Sequence, residues 1–254
     1  MASTISVSSS TAESDVSDSA VPTRTTRRVI TARHPDASAI AGIAVVQRNS
    51  GWGGACFLGW GRMDRMTIQI TGDAHADQIL TDSPFALLVG MMLDQQYPME
   101  HAFRGPAKVL DRFGSIEPSA IAAADPAEFK ALCSTPPAIH RFPGSMAERL
   151  QTLAAIVETQ YDGHAERLWT GATSGADLLK RVMELPGFGK QKAQIFTALL
   201  AKQLDVRPEG WEKAVGDYSL DGYRSVADVT DPASLQKVRE FKQQKKAAAK
   251  AQAV

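Results

Sequence analysis

Residues 185–193, with the sequence LPGFGKQKA, combine residue types that suit the binding of a phosphate group. The proline ends a preceding helix, while Gly187 and Gly189 permit positive φ angles and place no Cβ in the path of a phosphate oxygen. Free backbone N–H groups at the start of a following helix, together with Lys190 and Lys192, supply positive charge. This combination predicts a hairpin between two helices that holds a nucleic-acid phosphate. The alternative is that Gly-x-Gly forms only a tight turn between helices.

Helices are predicted on both sides of this hairpin, because apolar residues recur at helical spacing over residues 176–185 and again over residues 192–204. Residues 85–96 are almost wholly apolar and follow the sequence Asp-Ser-Pro, which indicates a capped, buried central helix. Further predicted helices span residues 98–113, 118–124, 126–133, 144–161, 209–215 and 232–250. Since no segment carries a sustained alternation of polar and apolar residues, the predicted fold class is all-α, organised by helix–helix packing.

The order Leu-Pro-Gly-x-Gly-Lys, followed by a small residue and an apolar helix, resembles the helix-hairpin-helix of the DNA glycosylase superfamily (HhH-GPD). This superfamily includes endonuclease III, MutY and the alkyladenine and oxoguanine glycosylases. The resemblance covers about residues 71–238 and is greatest to a group of short actinobacterial HhH-GPD proteins. It implies the helix-hairpin-helix glycosylase fold and an enzyme that docks in the minor groove of double-stranded DNA, bends the duplex and extrudes a damaged or mispaired base.

Four polar residues outside the hairpin match DNA-contacting segments of this superfamily. Gln95 and Gln96 end the apolar helix where these glycosylases carry a glutamine-bearing wedge, which fills the gap beside a flipped nucleotide. Ser145 and Arg149 open the helix before the hairpin, where the resemblance implies contacts with the DNA backbone. Without the hairpin, a buried helix that ends in polar residues would be the simpler explanation of the two glutamines.

The lysine that forms a Schiff base in bifunctional superfamily members is replaced in this chain. That position, two residues after the second hairpin glycine, is Gln191. Its neighbours Lys190 and Lys192 point elsewhere, because a helix turns by about 100° per residue. The resemblance therefore implies a monofunctional glycosylase that hydrolyses the N-glycosidic bond with water and lacks efficient lyase activity. A carboxylate would stabilise the positive charge that develops on the sugar and orient the water.

Several acids are candidates for this carboxylate. Counting from Gln191 along the family pattern reaches Glu209, although the valine-aspartate pair expected there is absent. Asp94, at the end of an apolar helix, must find a partner or change its pKa. The other acids that a change in the loop would bring into place are Asp205, Glu212 and Asp217. Taken singly, each of these residues is explained as well by a place on the solvated surface.

The pocket for the extruded base is predicted to include Gln191 and side chains with aromatic faces, since enzymes that flip a base hold it between such faces. The candidates are Trp211, Tyr97 and His140, with Trp169 and Phe142 as further stacking residues. Arg141 is a candidate phosphate contact on the same loop as His140. A place in the hydrophobic core would explain each of the aromatic residues equally well.

The composition indicates a sizeable core and no overall charge bias, with 44 % hydrophobic residues and 28 basic against 28 acidic side chains. DNA affinity must therefore come from local clusters, such as the basic residues after Asp231, unless these form only a solvated helix end. Two cysteines are too few for a disulfide framework or a cysteine-bound metal cluster, so no cofactor and no metal are expected. Without a long apolar run or a secretory signal, the chain is predicted to be a monomeric cytoplasmic protein, associated with the nucleoid and not with membranes.

Residues 1–65 are predicted to be a low-complexity, irregular and mostly disordered extension, because the Ser/Thr/Ala-rich start offers too little apolar surface to order the chain. We expect this extension to be non-essential, with the functional chain beginning near Met63 or Met66. Residues 66–254 are predicted to form the helical domain, which ends in a basic C-terminal helix. The rival to a glycosylase is a non-catalytic DNA-binding module that kept the hairpin and the wedge. A purely structural helical adaptor would leave the glycine–lysine hairpin unexplained.

Overall fold

The computed structural model describes residues 67–252, and all regular secondary structure in that part of the chain is helical. The α-helices are α1 (Ala74–Asp82), α2 (Pro84–Leu93), α3 (Met99–Phe103), α4 (Gly105–Phe113), α5 (Pro118–Ala123), α6 (Pro126–Ser134), α7 (Pro143–Tyr161), α8 (Arg167–Thr170), α9 (Gly175–Met183), α10 (Lys190–Gln203), α11 (Trp211–Val215) and α12 (Pro232–Gln252). Two 3-10 turns, Gly216–Ser219 and Val226–Asp228, lie between α11 and α12. The predicted all-α class is confirmed. The predicted extension over residues 1–65 lies outside the described residues.

Helix α2 is the central helix of the fold. Every residue of α2 after Pro84 is buried, and the Ser83 side chain caps the helix by accepting a hydrogen bond from the Ala86 N–H at 3.1 Å. The helix packs against α1, α3, α4 and α7. Because its surface is apolar on all sides, α2 can be covered by several neighbours at once and organises the core.

The predicted helix boundaries differ most from the structure at two places. The segment predicted as one helix over residues 98–113 is two helices, α3 and α4, which meet at Arg104. Pro106 lacks an N–H and cannot continue the hydrogen-bond ladder of α3. A Cβ atom on Gly105 would lie 2.3 Å from the Leu93 Cδ1 atom, so glycine allows the end of α2 to approach α4 closely. Helix α2 itself ends at Leu93, earlier than predicted, and this leaves the following residues in a loop.

The later helices form a second packed group around α10. Helix α10 contacts α9, α11 and both 3-10 turns, and α12 packs against the turn Val226–Asp228. The Phe196 ring lies edge-on to the Trp169 and Phe188 rings, with centroid distances of 6.2 Å and 5.9 Å. Since Phe188 belongs to the α9–α10 connection, this aromatic contact anchors the hairpin to the core.

Candidate nucleic-acid interface

The connection between α9 and α10 has the geometry of the predicted hairpin. Leu185 and Phe188 are buried, whereas Gly189 and Lys190 are exposed, so apolar residues anchor a corner whose tip faces solvent. Gly187 has a φ of 84° and lies in the left-handed region. Gly189 is the N-cap of α10, and no side chain caps the helix there. The first N–H groups of α10, which have no partner within the helix, therefore remain able to bind an anion.

The two hairpin glycines differ in what they require. Gly187 needs both its backbone freedom and its lack of a side chain, because a Cβ atom there would lie 2.9 Å from the Arg149 Cδ atom. Gly189 has ordinary extended angles, with φ at −81° and ψ at 171°, and a Cβ atom there would meet no atom within 4 Å. The prediction that both glycines serve positive φ angles is thus wrong for Gly189. Its small size leaves open space at the helix start.

Lys192 is turned into the protein and away from the hairpin tip. Its Nζ donates a hydrogen bond to the Met92 carbonyl at 2.9 Å and lies 5.8 Å from the centroid of the Phe188 ring. Burial holds the pKa of Lys192 at about 8, although the nearby Asp94 carboxylate opposes this shift. The prediction that Lys192 joins Lys190 in holding the anion is therefore corrected. Lys192 instead ties the start of α10 to the carboxyl end of α2.

The predicted wedge residues lie in the exposed loop that follows α2. The Gln95 side chain accepts a hydrogen bond from the Arg149 Nη1 at 2.6 Å, and the Gln95 carbonyl accepts one from the His140 Nε2 at 3.0 Å. Gln96 is exposed and has a φ of 53°, which is unusual for a residue with a side chain. Within the described residues the Gln96 side chain makes no hydrogen bond. The Gln95 side chain is thus fixed by its hydrogen bond to Arg149, whereas Gln96 lies at the exposed tip of the loop.

His140 holds this loop in place and does not line a pocket. The residue is only 1 % exposed, and both ring nitrogens are used, since the Nδ1 accepts a hydrogen bond from the Phe142 N–H at 3.1 Å. Because a carbonyl only accepts, the Nε2 carries the proton that goes to Gln95, and the ring is neutral. Burial lowers the pKa of His140, and the positive charges of Arg141, Lys192 and Arg149 act in the same direction. The prediction that His140 belongs to the base pocket is corrected.

The loop that carries His140 presents one exposed aromatic ring. Phe142 is 48 % exposed, and the Arg141 guanidinium carbon lies 4.7 Å from the centroid of its ring. Ser145 is also exposed and donates a hydrogen bond to the Phe142 carbonyl at 3.3 Å. Among the aromatic residues predicted to stack on DNA, Phe142 is thus the one whose ring faces solvent. An aromatic ring beside an arginine suits contact with a nucleobase.

The two tryptophans predicted to stack on a base belong to the core. Trp169 is 3 % exposed and Trp211 is 9 % exposed. A Cβ atom on Gly175 would lie 2.4 Å from the Trp211 Cα atom, so α11 packs directly against the start of α9. Tyr97 is half-buried, and its ring lies 4.7 Å from the His140 ring. The prediction that Trp211 lines the base pocket is therefore wrong, and Tyr97, a residue of the loop after α2, packs against the buried His140 ring.

Gln191, which the resemblance matches to the position of the Schiff-base lysine, lies on the exposed side of α10. Its Nε2 donates a hydrogen bond to the Tyr218 hydroxyl at 2.9 Å. A groove of about 240 Å³ opens beside this pair and continues to α12. Tyr218 and the α12 side chains along this groove were not among the predicted site residues. The basic tail after Asp231 was the only signal in the sequence that pointed to them.

The candidate carboxylates have different environments. Burial raises the pKa of the half-buried Asp94, while the positive charges of Lys242 and Lys192 partly oppose this shift. No donor among the described residues hydrogen-bonds the Asp94 carboxylate. By contrast, Glu209 and Asp205 are exposed, and the Asp205 carboxylate lies 3.1 Å from the Arg207 Nε. The other two candidates, Glu212 and Asp217, are also exposed.

Glu209 contributes its backbone to the fold. Its carbonyl accepts a hydrogen bond from the Gly175 N–H at 2.8 Å, which joins the loop before α11 to the start of α9. None of the contacts in the described chain connects the Glu209 side chain to Gln191 or to the hairpin. Among the predicted acids, Asp94 is therefore the one that is half-buried, and this burial raises its pKa.

Three segments that are distant in sequence meet at Arg149, on the second turn of α7. Arg149 hydrogen-bonds Gln95 in the loop after α2, and its side chain lies against Gly187 in the hairpin. The same helix begins directly after Phe142. The loop before α7 is held from below by α4, because Lys108 donates to the Ala138 carbonyl at 2.9 Å and Arg112 donates to the Pro137 carbonyl at 2.8 Å. These contacts hold together the hairpin, the loop that carries Gln96 and the loop that carries Phe142.

Comparison with known proteins identifies one family. The sequence model of a family described as "HhH-GPD superfamily base excision DNA repair protein" matches residues 89–253. No curated protein and no solved structure matches the chain. Over the described residues, no group of three or more potential metal ligands occurs. No helix in that same part of the chain combines the length and the apolar character needed to cross a bilayer.

Proposed function

Because the chain belongs to the HhH-GPD superfamily of base excision DNA repair proteins, we propose that it is a monofunctional DNA glycosylase. In this role it binds double-stranded DNA as a monomer from the minor groove, extrudes a damaged or mispaired nucleotide, and hydrolyses the N-glycosidic bond. Its place of action is the chromosomal DNA of the cytoplasmic nucleoid. The observation that carries this proposal is that Arg149 joins the loop after α2 to the hairpin, while His140 joins the loop before α7 to the same loop after α2.

The exposed groups of these three segments supply complementary contacts with a duplex. The free N–H groups of α10 and the Lys190 side chain hold one backbone phosphate. Gln96 enters the gap that the extruded nucleotide leaves, and its loop is kept in place by the buried His140. Phe142 stacks on an exposed base, and Arg141 and Ser145 contact the adjacent backbone.

The amide at position 191 supports hydrolysis in place of lyase chemistry. An amide cannot form a Schiff base with the sugar C1′, and the Lys192 amine hydrogen-bonds the Met92 carbonyl. In hydrolysis the C1′–N bond breaks, the base leaves with the electron pair and gains a proton, and water forms the new C1′–O bond. A carboxylate accepts the proton of the water. The semi-enclosed setting of Asp94, with cationic Lys192 and Lys242 nearby, supports this residue as the carboxylate.

The test compares base release with strand cleavage. Duplexes that carry uracil, an oxoguanine mispair or an alkylated base are incubated with the wild type and with Asp94→Asn, Glu209→Gln and Asp205→Asn. We expect release of a base from one of these duplexes, strand breaks only after alkaline treatment, and no covalent adduct after borohydride reduction. Loss of the catalytic carboxylate should lower the single-turnover rate by about 100-fold or more. Glu128→Gln, at an exposed acid on α6 that is not among the candidate carboxylates, is the matched control.

Two results would contradict parts of this proposal. A borohydride-trapped adduct with direct strand breaks would show lyase activity. If Glu209→Gln lost activity while Asp94→Asn retained it, the catalytic carboxylate would be Glu209.

The second candidate function is a non-catalytic DNA-binding module. The observation that favours it is the exposure of Glu209 at the position where the superfamily's catalytic aspartate is expected, with no contact between its side chain and the hairpin. Tight duplex binding without base release from any of the test substrates would support this module and contradict the glycosylase.

A further inference from the structure

A basic groove lies between the start of α10 and the middle of α12. Its volume is about 240 Å³, slightly below the range of about 300–1,000 Å³ that is typical of small-molecule pockets. The lining residues are Gln191, Ile195, Tyr218, Arg224, Phe241, Lys242, Lys245 and Lys246. The predicted base pocket contributes only Gln191 to this groove, because Trp211 and His140 are buried elsewhere.

The groove combines positive charge with aromatic surface. Four lining side chains are cationic, and none of the lining residues is acidic. The Tyr218 and Phe241 rings and the Ile195 side chain supply apolar surface between these charges. A ligand that fits this lining carries an anionic group at one end and a flat, weakly polar group at the other.

Arg224 adds a second, independent observation. Its guanidinium carbon lies 6.0 Å from the centroid of the Phe241 ring, and its Nε is buried without a hydrogen-bond partner among the described residues. A buried donor of this kind costs free energy unless a ligand or water satisfies it. The Arg224 side chain also lines the groove, and none of the described residues accepts a hydrogen bond from its guanidinium, so its terminal nitrogens can bind an anionic group there.

The groove also neighbours the half-buried acid of the interface. Lys242 lines the groove and lowers the pKa of Asp94 through its charge, and Gln191 lies in the first turn of α10, directly after the hairpin. A ligand in the groove therefore occupies the space beside the hairpin phosphate site and the candidate carboxylate.

We propose that this groove binds one deoxynucleoside monophosphate unit, with Lys245, Lys246 and Arg224 on the phosphate and the Tyr218 and Phe241 rings on the base. This inference rests on the proposed function, in which the unit is the nucleotide extruded from the duplex. The same chemistry would accept a free mononucleotide. In this proposal Lys245 and Lys246 of α12 recognise the substrate, in contrast to the alternative that the basic residues after Asp231 form only a solvated helix end.

The first experiment measures binding of free ligands to the full chain by NMR titration. The probes are the four deoxynucleoside 5′-monophosphates, the corresponding deoxynucleosides and inorganic phosphate. We expect the monophosphates to bind at least about tenfold more tightly than the deoxynucleosides, because the phosphate gains charge-assisted hydrogen bonds. The double variant Lys245→Gln/Lys246→Gln changes exposed side chains and should lose about tenfold in affinity for the monophosphates only.

A matched control separates the groove lysines from positive charge elsewhere on the surface. Lys213→Gln, at an exposed lysine on α11, should leave mononucleotide affinity unchanged. Equal affinity for deoxynucleosides and monophosphates, or monophosphate affinity that is unchanged in Lys245→Gln/Lys246→Gln, would overturn the proposal.

The second experiment distinguishes the two sources of the nucleotide. A duplex with 2-aminopurine opposite an abasic site reports extrusion by fluorescence, and a deoxynucleoside monophosphate is added as competitor. Competition that is weaker in Lys245→Gln/Lys246→Gln supports the extruded nucleotide as the ligand. Mononucleotide binding without competition supports a free nucleotide. If mononucleotides bind as expected but no duplex releases a base, the groove proposal stands and only the glycosylase proposal fails.

Discussion

Lys192 shows how one side chain links the hairpin to the carboxyl end of α2. Its Nζ donates to the Met92 carbonyl, and its start-of-helix position places it between the hairpin and Asp94. Burial lowers the pKa of Lys192 to about 8, and Asp94 limits this shift. The amine therefore changes charge close to neutral pH, unlike an ordinary lysine.

Removal of the Asp94 charge should lower the pKa of Lys192 further. In Asp94→Asn the opposing negative charge is gone, while burial and the Arg149 charge remain. We expect the midpoint of a ¹³Cε NMR titration of Lys192 to fall from about 8 to a lower value. Lys190→Gln, at the exposed hairpin tip, serves as the control and should leave the titration midpoint of Lys192 unchanged. A wild-type midpoint in the ordinary lysine range would contradict this description.

His140 should make the folded protein sensitive to mild acid. Because folding lowers the pKa of His140 through burial, the neutral ring stabilises the fold above the unfolded pKa of about 6.5. This contribution is lost as the pH falls below that value toward the folded pKa. We expect the free energy of unfolding, measured with urea between pH 7.5 and about 5, to fall less steeply in His140→Gln than in the wild type.

The matched variant for this measurement is His101→Gln, since His101 is exposed and forms no ion pair with a carboxylate of the described residues. It should retain the wild-type pH dependence. Parallel curves for the wild type and His140→Gln would show that the buried ring does not carry this effect.

At the scale of elements, the two glycines of the hairpin have different roles. Gly187 is required by the backbone conformation, and Gly189 leaves space for a ligand. Gly187 has a φ of 84° and lies against Arg149, whereas Gly189 has ordinary angles and open space around it. Alanine at position 187 should therefore lower the free energy of unfolding by about 2 kcal/mol, through the left-handed backbone and the contact with Arg149.

Alanine at position 189 should cost less than about 1 kcal/mol of stability, because only the N-cap preference of α10 changes. It should nevertheless weaken duplex binding, since a methyl group then occupies the approach to the free N–H groups. Urea unfolding and fluorescence anisotropy on the same two variants measure both effects. A larger stability loss for Gly189→Ala than for Gly187→Ala would contradict these roles.

Local patterns predicted the elements well and their ends less well. The hairpin, the buried α2 and the amphipathic α7 follow from proline, glycine and apolar spacing within a short stretch of chain. The end of α2 at Leu93 does not, because the partners that hold the next loop, His140 and Arg149, are distant in sequence. The break between α3 and α4 likewise depends on the approach of Leu93 to Gly105.

The same limit explains which site residues were misassigned. Trp211 and His140 are residue types that serve either in a core or in a pocket, and only the packing of α11 and of the loop after α2 decides between these places. Lys192 is directed inward by the Met92 carbonyl, which no local pattern reveals. Gln191, which was predicted to line the base pocket, lies exposed beside Tyr218 because the hairpin sets its position at the start of α10, and its role in a base pocket stays a prediction.

At the scale of the whole molecule, the charge is balanced overall and uneven locally. The chain has equal numbers of basic and acidic side chains. Around the candidate interface, however, several basic residues are exposed, as is Gly189 of the hairpin: Arg141, Lys190, Lys242, Lys245 and Lys246. DNA binding by such a molecule depends on these local positive charges and should weaken strongly with added salt.

The helical part of the chain should be sufficient for folding and binding. The described residues form a continuous buried core from Ile68 to Val238. We therefore expect a protein that begins at Met66 to keep the free energy of unfolding and the duplex affinity of the full chain. Calorimetric unfolding and anisotropy on both proteins check this expectation. Loss of cooperative unfolding in the shorter protein would show that residues 1–65 are needed.

The most direct test of the central claim, that the hairpin holds a DNA phosphate, is the salt dependence of duplex affinity. The wild type is compared with Gly189→Asp/Lys190→Glu, and Lys213→Glu on α11 is the control for a change of charge alone. The hairpin variant should bind more weakly, and its slope of log affinity against log salt should be shallower by about 0.9 for one lost phosphate contact. Affinity and slope equal to those of the wild type would contradict the claim.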